Sequence, residues 1–557
     1  MDQLPQELID RICALLAPED LKSTATLSHR IQYASEKASR VWEQITMSEQ
    51  DLEMFVARCT DWRWRFLRHV AFRTHIPAYE DDPEREPESN HCRESEAELN
   101  EKDVRFTQQI RSLFETLNRM EAKRGPGNFR LTIYTPVRAT LEETCPHRKC
   151  PSWRLHLLNP EKLPSLCSIH TIYLEDERMI YPLEEPESLL KIDLRMLLDL
   201  AVKLPKLRLL GCKINAGGGW TTNCPSEATR HYTKNWVGPI CDSRDGFAQA
   251  FEDLSLPQTL RSADLNLMWP LSEVENIDQT MPLPNLLGAA HTDRFSSSLS
   301  LLSQRLRMLQ IQVIADETLF WPTNAGASWP CLERLHVALH IATPSGSWYF
   351  QDPRGSENIL PELTDVTSSS YPPLVDTPDD ERWDYETSDY GLDLDTVTNK
   401  KYRVTPDETT LRPLLLSLAT AAAHMPKLKA ACVWFPLQWD AGDVDGYEDF
   451  DPRLKLESMS GSSLDSTAWG IVYLGPGEED GHESPGFLAS PVYRAASPGI
   501  RQMAWATGPW RPDAELHGLF GRIGDASIPL VEHWPKDNNR QIPQIISMFR
   551  RYDIFCM

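Results

Sequence analysis

Residues 1–47 read MDQLPQELIDRICALLAPEDLKSTATLSHRIQYASEKASRVWEQITM, and three short helices can be written into them. Pro5 suits a first helical turn, where its missing N–H would have no intrahelical acceptor anyway. Glu7 adds negative charge near the positive end of that helix. Leu8, Ile12, Leu15 and Leu16 keep the i, i+4, i+7, i+8 spacing of one helical face. Pro18 stops the helix, and Glu19 and Asp20 open the next with acidic residues in its first turn. Leu21, Ala25 and Leu27 line the second helix; Ile31, Ala34, Ala38 and Trp42 line the third. A helical piece of about 45 residues has little interior of its own. So apolar a face predicts docking on another polypeptide.

Leu-Pro-x-Glu-Leu at 4–8, Ile12, Leu-x-Pro-Glu-Asp-Leu at 16–21, Leu27-Ser28 and Trp42, in that order, resemble an F-box, most closely those of filamentous-fungal F-box proteins. The resemblance implies a three-helix segment that binds the Skp adaptor of a cullin–RING ubiquitin ligase. It also implies which positions face the adaptor or frame the segment: Leu4, Pro5, Leu8, Ile12, Leu15, Leu16, Asp20, Leu21, Leu27, Ser28 and Trp42. One departure is Ser28-His29-Arg30, where the family commonly has Cys or Ser followed directly by Lys or Arg. The alternative is an ordinary helical hairpin packed on the rest of the chain.

At 557 residues, with 41% apolar and 9% aromatic content, the chain can bury a real core. A formal charge of −24 argues against nucleic-acid binding, which needs clustered Lys and Arg. No stretch approaches about 20 uninterrupted apolar residues, so no membrane span is expected. No charged-then-apolar leader begins at Asp2. The 12 cysteines read as reduced thiols of an intracellular protein, cytoplasmic or nuclear. Cys556 stands too near the end for prenylation.

Beyond residue 47 a unit recurs: amphipathic helix, Leu-Pro-like corner, alternating strand. The corners are Leu163-Pro164, Leu204-Pro205, Leu256-Pro257, Trp329-Pro330 and Met425-Pro426. Strand-like runs follow, such as Leu265 with Leu267, Leu309-x-Ile311-x-Val313 and Leu335-x-Val337-x-Leu339. Tandem helix–strand units bury their apolar faces only against neighbours, the logic of a leucine-rich-repeat solenoid. The corners are unevenly spaced and no asparagine ladder is present. The predicted fold is therefore α/β: a three-helix F-box (1–47), an irregular leucine-rich-repeat-like body (48–457), and a C-terminal capping region (458–557). Acidic, apolar-poor stretches at about 80–103, 351–400 and 440–451 read as loops inserted into the body.

Catalytic and metal motifs are weak. Cys145-Pro146-His147-Arg148-Lys149-Cys150 offers one close pair and a histidine, without the second pair that a structural zinc site usually brings. Gly217-Gly218-Gly219 lacks the Lys-Ser/Thr of a phosphate loop, and Gly481-His482-Glu483-Ser484 lies in a Gly/Pro/Glu-rich loop, unfit to orient a triad. No catalytic residue, cofactor or metal ligand is assigned. Among 17 tryptophans, Trp62, Trp64 and Trp348 are candidate contact residues, although packing under loops is the commoner use. The expected function is substrate recognition in a Skp–cullin–F-box ligase, by a body whose acidity favours a basic or apolar target. A non-degradative interaction scaffold and a hydrolase with a concealed site are the alternatives.

Overall fold

A computed structural model describes residues 4–77, 93–139, 146–149, 152–176, 187–215, 231–321, 326–354, 366–387, 401–438, 466–477 and 499–534, apart from 233, 235, 270, 272–276, 278, 281–282 and 288–291. Three helices come first: α1 (Gln6–Cys13), α2 (Pro18–Thr24) and α3 (His29–Ser39). Pro5 sits one residue ahead of α1, its carbonyl accepting from Leu8 and Ile9. Pro18 both follows α1 and begins α2. Ser28 caps α3 by accepting from the Ile31 N–H at 3.4 Å.

The rest is mixed α/β around one 13-stranded sheet. Its main path is β1 (Gln44–Met47), β2 (His69–Ile76), β3 (Phe129–Ala139), β4 (Ile169–Glu175), β5 (Leu209–Lys213), β6 (Ser262–Asn266), β7 (Met308–Val313), β8 (Arg334–Leu339), β9 (Ala430–Gln438), β10 (Ser466–Leu474), β11 (Arg501–Ala506) and β12 (Leu530–His533). Strands β1 to β9 lie in chain order and all pair in parallel. The pairs β9–β10 and β10–β11 are antiparallel. Thus the described part of residues 458–557 continues the same sheet.

Parallel neighbours need crossovers. The crossover helices are α4 (Leu52–Arg58), α5 (Asp61–Phe66), α6 (Glu96–Arg124), α7 (Pro146–Lys149), α8 (Arg195–Ala201), α9 (Val237–Asp253), α10 (Arg294–Ser303), α11 (Pro378–Thr387) and α12 (Glu408–Ala423), with α13 (Ala514–Phe520) near the C-terminal end of the sheet. Register aligns the apolar positions into rows. Val70, Leu131, Ile172, Leu210, Ala263, Leu309, Leu335 and Ala431 are successive partners, as are Phe72, Ile133, Leu174, Cys212, Leu265, Ile311, Val337 and Val433. Both rows belong to one continuous buried core. On the other face Tyr173 lies across Gly211, where a Cβ would meet its ring at 2.3 Å, and donates to Asp264 at 3.0 Å.

Three expectations need correction. The acidic stretch 80–103 is not all loop, because α6 already runs from Glu96. Its start is fixed by a capping box: Ser95 N–H donates to Glu98 at 2.8 Å and Glu98 N–H to Ser95 Oγ at 3.3 Å. Within 351–400, residues 378–387 form α11, a helix anchored by ion pairs, so apolar periodicity gave no sign of it. Trp64 and the run Trp348-Tyr349-Phe350 are buried core, not contact surface. The stretch 440–451, the triple glycine, Gly481–Ser484 and Cys556 lie outside the described residues.

Candidate partner-docking site

The first three helices enclose a small core of their own. Ile9, Cys13, Leu21, Ile31 and Ala34 are buried together, with Leu4, Leu16 and Ala38 packed against them. Polar ties close the unit. Lys37 Nζ reaches Asp10 at 2.7 Å, Arg30 donates to the Leu4 carbonyl at 2.7 Å, and the Thr24 and Ser35 hydroxyls meet at 3.0 Å.

Helix α1 therefore carries two apolar stripes. Ile9 and Cys13 face inward, while Leu8 is 47% exposed and Ile12 41%. Just beyond the helix Leu15 is 84% exposed, and Leu27, between α2 and α3, is 60% exposed. Large aliphatic side chains are rarely left this open together on so small a unit. Covering these four would contribute on the order of 5 kcal/mol to an association. Of the other expected positions, Pro5 and Asp20 are exposed, Leu4 and Leu16 are partly buried against the small core, and Leu21 belongs to it. Ser28 serves as the cap of α3. Trp42 is half-buried elsewhere, under the Arg63 guanidinium at 4.4 Å.

That arginine marks the joint to the body, which sequence reasoning missed. Glu36 of α3 is buried and accepts from Arg63 Nε at 2.8 Å and Trp62 Nε1 at 3.0 Å. Tyr33 adds ring contacts to Trp62 and Phe66 at 6.4 and 5.2 Å. Burial alone would push Glu36 up. Arg63, Trp62 and Gln32 donate to it, and the carboxyl ends below its ordinary value. The helices are thus seated through one carboxylate and a few rings, and their outer stripe stays uncovered by the described residues.

A second surface lies where the parallel strands begin. The N–H of Arg208 donates to the His170 carbonyl, Arg261 to Arg208, Arg307 to Arg261, Glu333 to Arg307 and Lys429 to Glu333, at 2.7–2.9 Å. Successive strand starts thereby align basic residues along one rim. Glu333 neutralises Arg307 and Lys429 at 2.6 and 3.5 Å. Burial, Arg208 and Arg68 lower the pKa of His170.

A third cluster is buried. Asp380 of α11, 1% exposed, receives Arg93 Nη2 at 2.6 Å and Nε at 3.1 Å. His231 Nε2 lies 2.6 Å and His147 Nε2 3.1 Å from the same Asp380 Oδ1. Burial opposes ionisation, yet the two histidines, Arg93 and the Thr377 N–H hold Asp380 well below the usual carboxylate range. Burial lowers the pKa of His147, and Asp380 partly offsets that. No local pattern could have linked these segments. Only His147 stood out in the sequence, for its place between Cys145 and Cys150, which lie outside the described residues.

Another perturbed carboxylate has a structural use. Burial and nearby Asp293 push Asp316 up to about 7. It caps a short turn, accepting from Thr318 N–H at 3.0 Å, while Asp293 pairs with Arg244. Among the described residues no helix is long and apolar enough to cross a membrane. Compared with known proteins, the chain matches no family model and no curated sequence.

Proposed function

We propose that this chain is a substrate receptor of a Skp–cullin–F-box ubiquitin ligase, acting in the cytoplasm or nucleus. The first three helices dock on the Skp adaptor, and the body, read as an irregular leucine-rich-repeat-like solenoid, holds a target protein. The observation that carries the adaptor half is the exposed set Leu8, Ile12, Leu15 and Leu27 over a separately closed core. Parallel strands in chain order, most of them reached through a helix-bearing crossover, support the body half. The chain itself makes no bonds. It raises the effective concentration of target lysines beside a charged ubiquitin-conjugating enzyme. Overall acidity favours a basic or apolar target.

Affinity purification with mass spectrometry, comparing the full chain with one lacking residues 1–47, tests this reading. Loss of the Skp adaptor and cullin from the shortened chain, together with lower ubiquitylation of the retained partners, is expected. Equal adaptor recovery from both contradicts it. Adaptor loss with unchanged ubiquitylation of the partners would instead assign the chain to non-degradative scaffolding.

A further inference from the structure

The cluster at Asp380 joins four chain segments around one carboxylate. His147 and His231 each present Nε2 to Asp380 Oδ1, the rings stand nearly perpendicular (83°) with centroids 4.9 Å apart, and the three ligand atoms lie within 4.8 Å of one another. We propose that His147, His231 and Asp380 bind a divalent transition ion of the zinc class, clamping α7, the segment at 231 and α11 together.

Two imidazole nitrogens and one carboxylate oxygen are the donors zinc prefers, and three protein ligands leave a fourth position for water. Ligands about 2.0–2.2 Å from a tetrahedral ion stand roughly 3.4 Å apart. The His147–Asp380 separation of 3.1 Å is already close to that. His231, at 2.6 Å, needs to withdraw by less than about an ångström. Arg93 holds the outer side of the carboxylate through Nε to Oδ2, and the Thr377 N–H donates to the same oxygen at 2.8 Å. Outer partners of this sort fix a carboxylate ligand's orientation. Oδ1, shared by both histidines and by Arg93 Nη2, is the oxygen the ion takes, so Arg93 Nη2 yields that contact on loading.

Burial fits a clamp. The side chains of His147 and Asp380 are 3% and 1% exposed, and that of His231 is 19% exposed. Tyr232 packs on His147 at 4.4 Å between ring centroids. An ion here ties residues far apart in the chain, so its binding energy adds directly to folding. The inference stands whether or not the N-terminal helices bind an adaptor.

The test uses the full chain, stripped by a chelator, dialysed, and titrated with zinc alone, with magnesium as a parallel sample. Near-stoichiometric zinc uptake by elemental analysis, and a melting temperature that rises with zinc but not magnesium, are expected. His147→Ala and His231→Ala should each weaken zinc binding by more than tenfold. Either wild-type failure to take up zinc, or folded variants that bind it as tightly as wild type, overturns the proposal. If the variants do not fold, the wild-type melting shift decides alone: its absence refutes the site.

Discussion

The first 39 residues and the sheet that follows differ in how much of their apolar surface they bury. In the sheet, core rows run unbroken from β2 to β9 and close under the crossover helices. In the helical trio, five residues make the interior, and four leucines and isoleucines, Leu8, Ile12, Leu15 and Leu27, face outward. The long sheet seals itself because its apolar rows run on from strand to strand under the crossover helices. The short trio closes only a small core, and one apolar face stays uncovered by the described residues. The joint follows the same division, since the trio is seated by Glu36, Arg63 and aromatic edges, not by fusion of the two cores.

The largest effect expected from this contrast is in the sheet. Phe72 is fully buried in β2, and Phe72→Ala should destabilise the body by about 3–5 kcal/mol, read as a lower midpoint in urea unfolding. Ile31→Ala removes a side chain from the five-residue core of the trio, at about 2–4 kcal/mol. Its consequence should be local. Hydrogen exchange would speed up in α1–α3 and stay at wild-type rates in β4–β8. Equal loosening of both regions would show that the two cores are one.

A smaller effect is expected across the strands. Gly211→Ala drives a methyl against the Tyr173 ring, 2.3 Å away, and disturbs the Tyr173–Asp264 hydrogen bond. The expected loss is about 1–3 kcal/mol, and shortening the side chain by Tyr173→Ala in the same molecule should recover part of the steric component.

The joint supplies the pH test. Glu36 is held below its ordinary value in the folded chain, so its unfolded form binds the proton more readily. Its contribution is fully present above the usual glutamate range near pH 4.5 and is lost as pH falls through the lower folded value. Glu36→Gln should therefore cost about 1–2 kcal/mol at neutral pH and almost nothing once the wild-type carboxylate is protonated. A penalty that does not shrink on acidification would assign the joint to packing alone.

Much of the body was legible because proline corners and alternating apolar residues act locally. Leu309, Ile311 and Val313 read as a strand in isolation, and they form one. Helix α13 begins at a cap, Asp513 accepting from Leu516 N–H at 2.8 Å. The trio was legible as three helices, but not in its facing. Spacing on α1 allows two stripes, Leu8–Ile12 and Ile9–Cys13, and only packing decides which turns inward. Least legible were links with no local periodicity. Arg93 finds Asp380 across 287 residues, and Glu36 finds Arg63 across 27 through a charge-assisted hydrogen bond. Helix α11, acidic and weakly amphipathic, was hidden for that reason.

The smallest expected change in stability belongs to the most exposed side chain. Leu15 is 84% exposed, and replacing it in the free protein should change stability by less than about 0.5 kcal/mol. The most direct measurement is a binding isotherm of purified Skp adaptor against the full chain and its Leu8→Asp/Leu15→Asp variant, with unfolding midpoints measured alongside. The account predicts unchanged midpoints and adaptor affinity weakened by at least about a hundredfold, roughly 2.7 kcal/mol. An adaptor that binds both proteins equally, or neither, would contradict it.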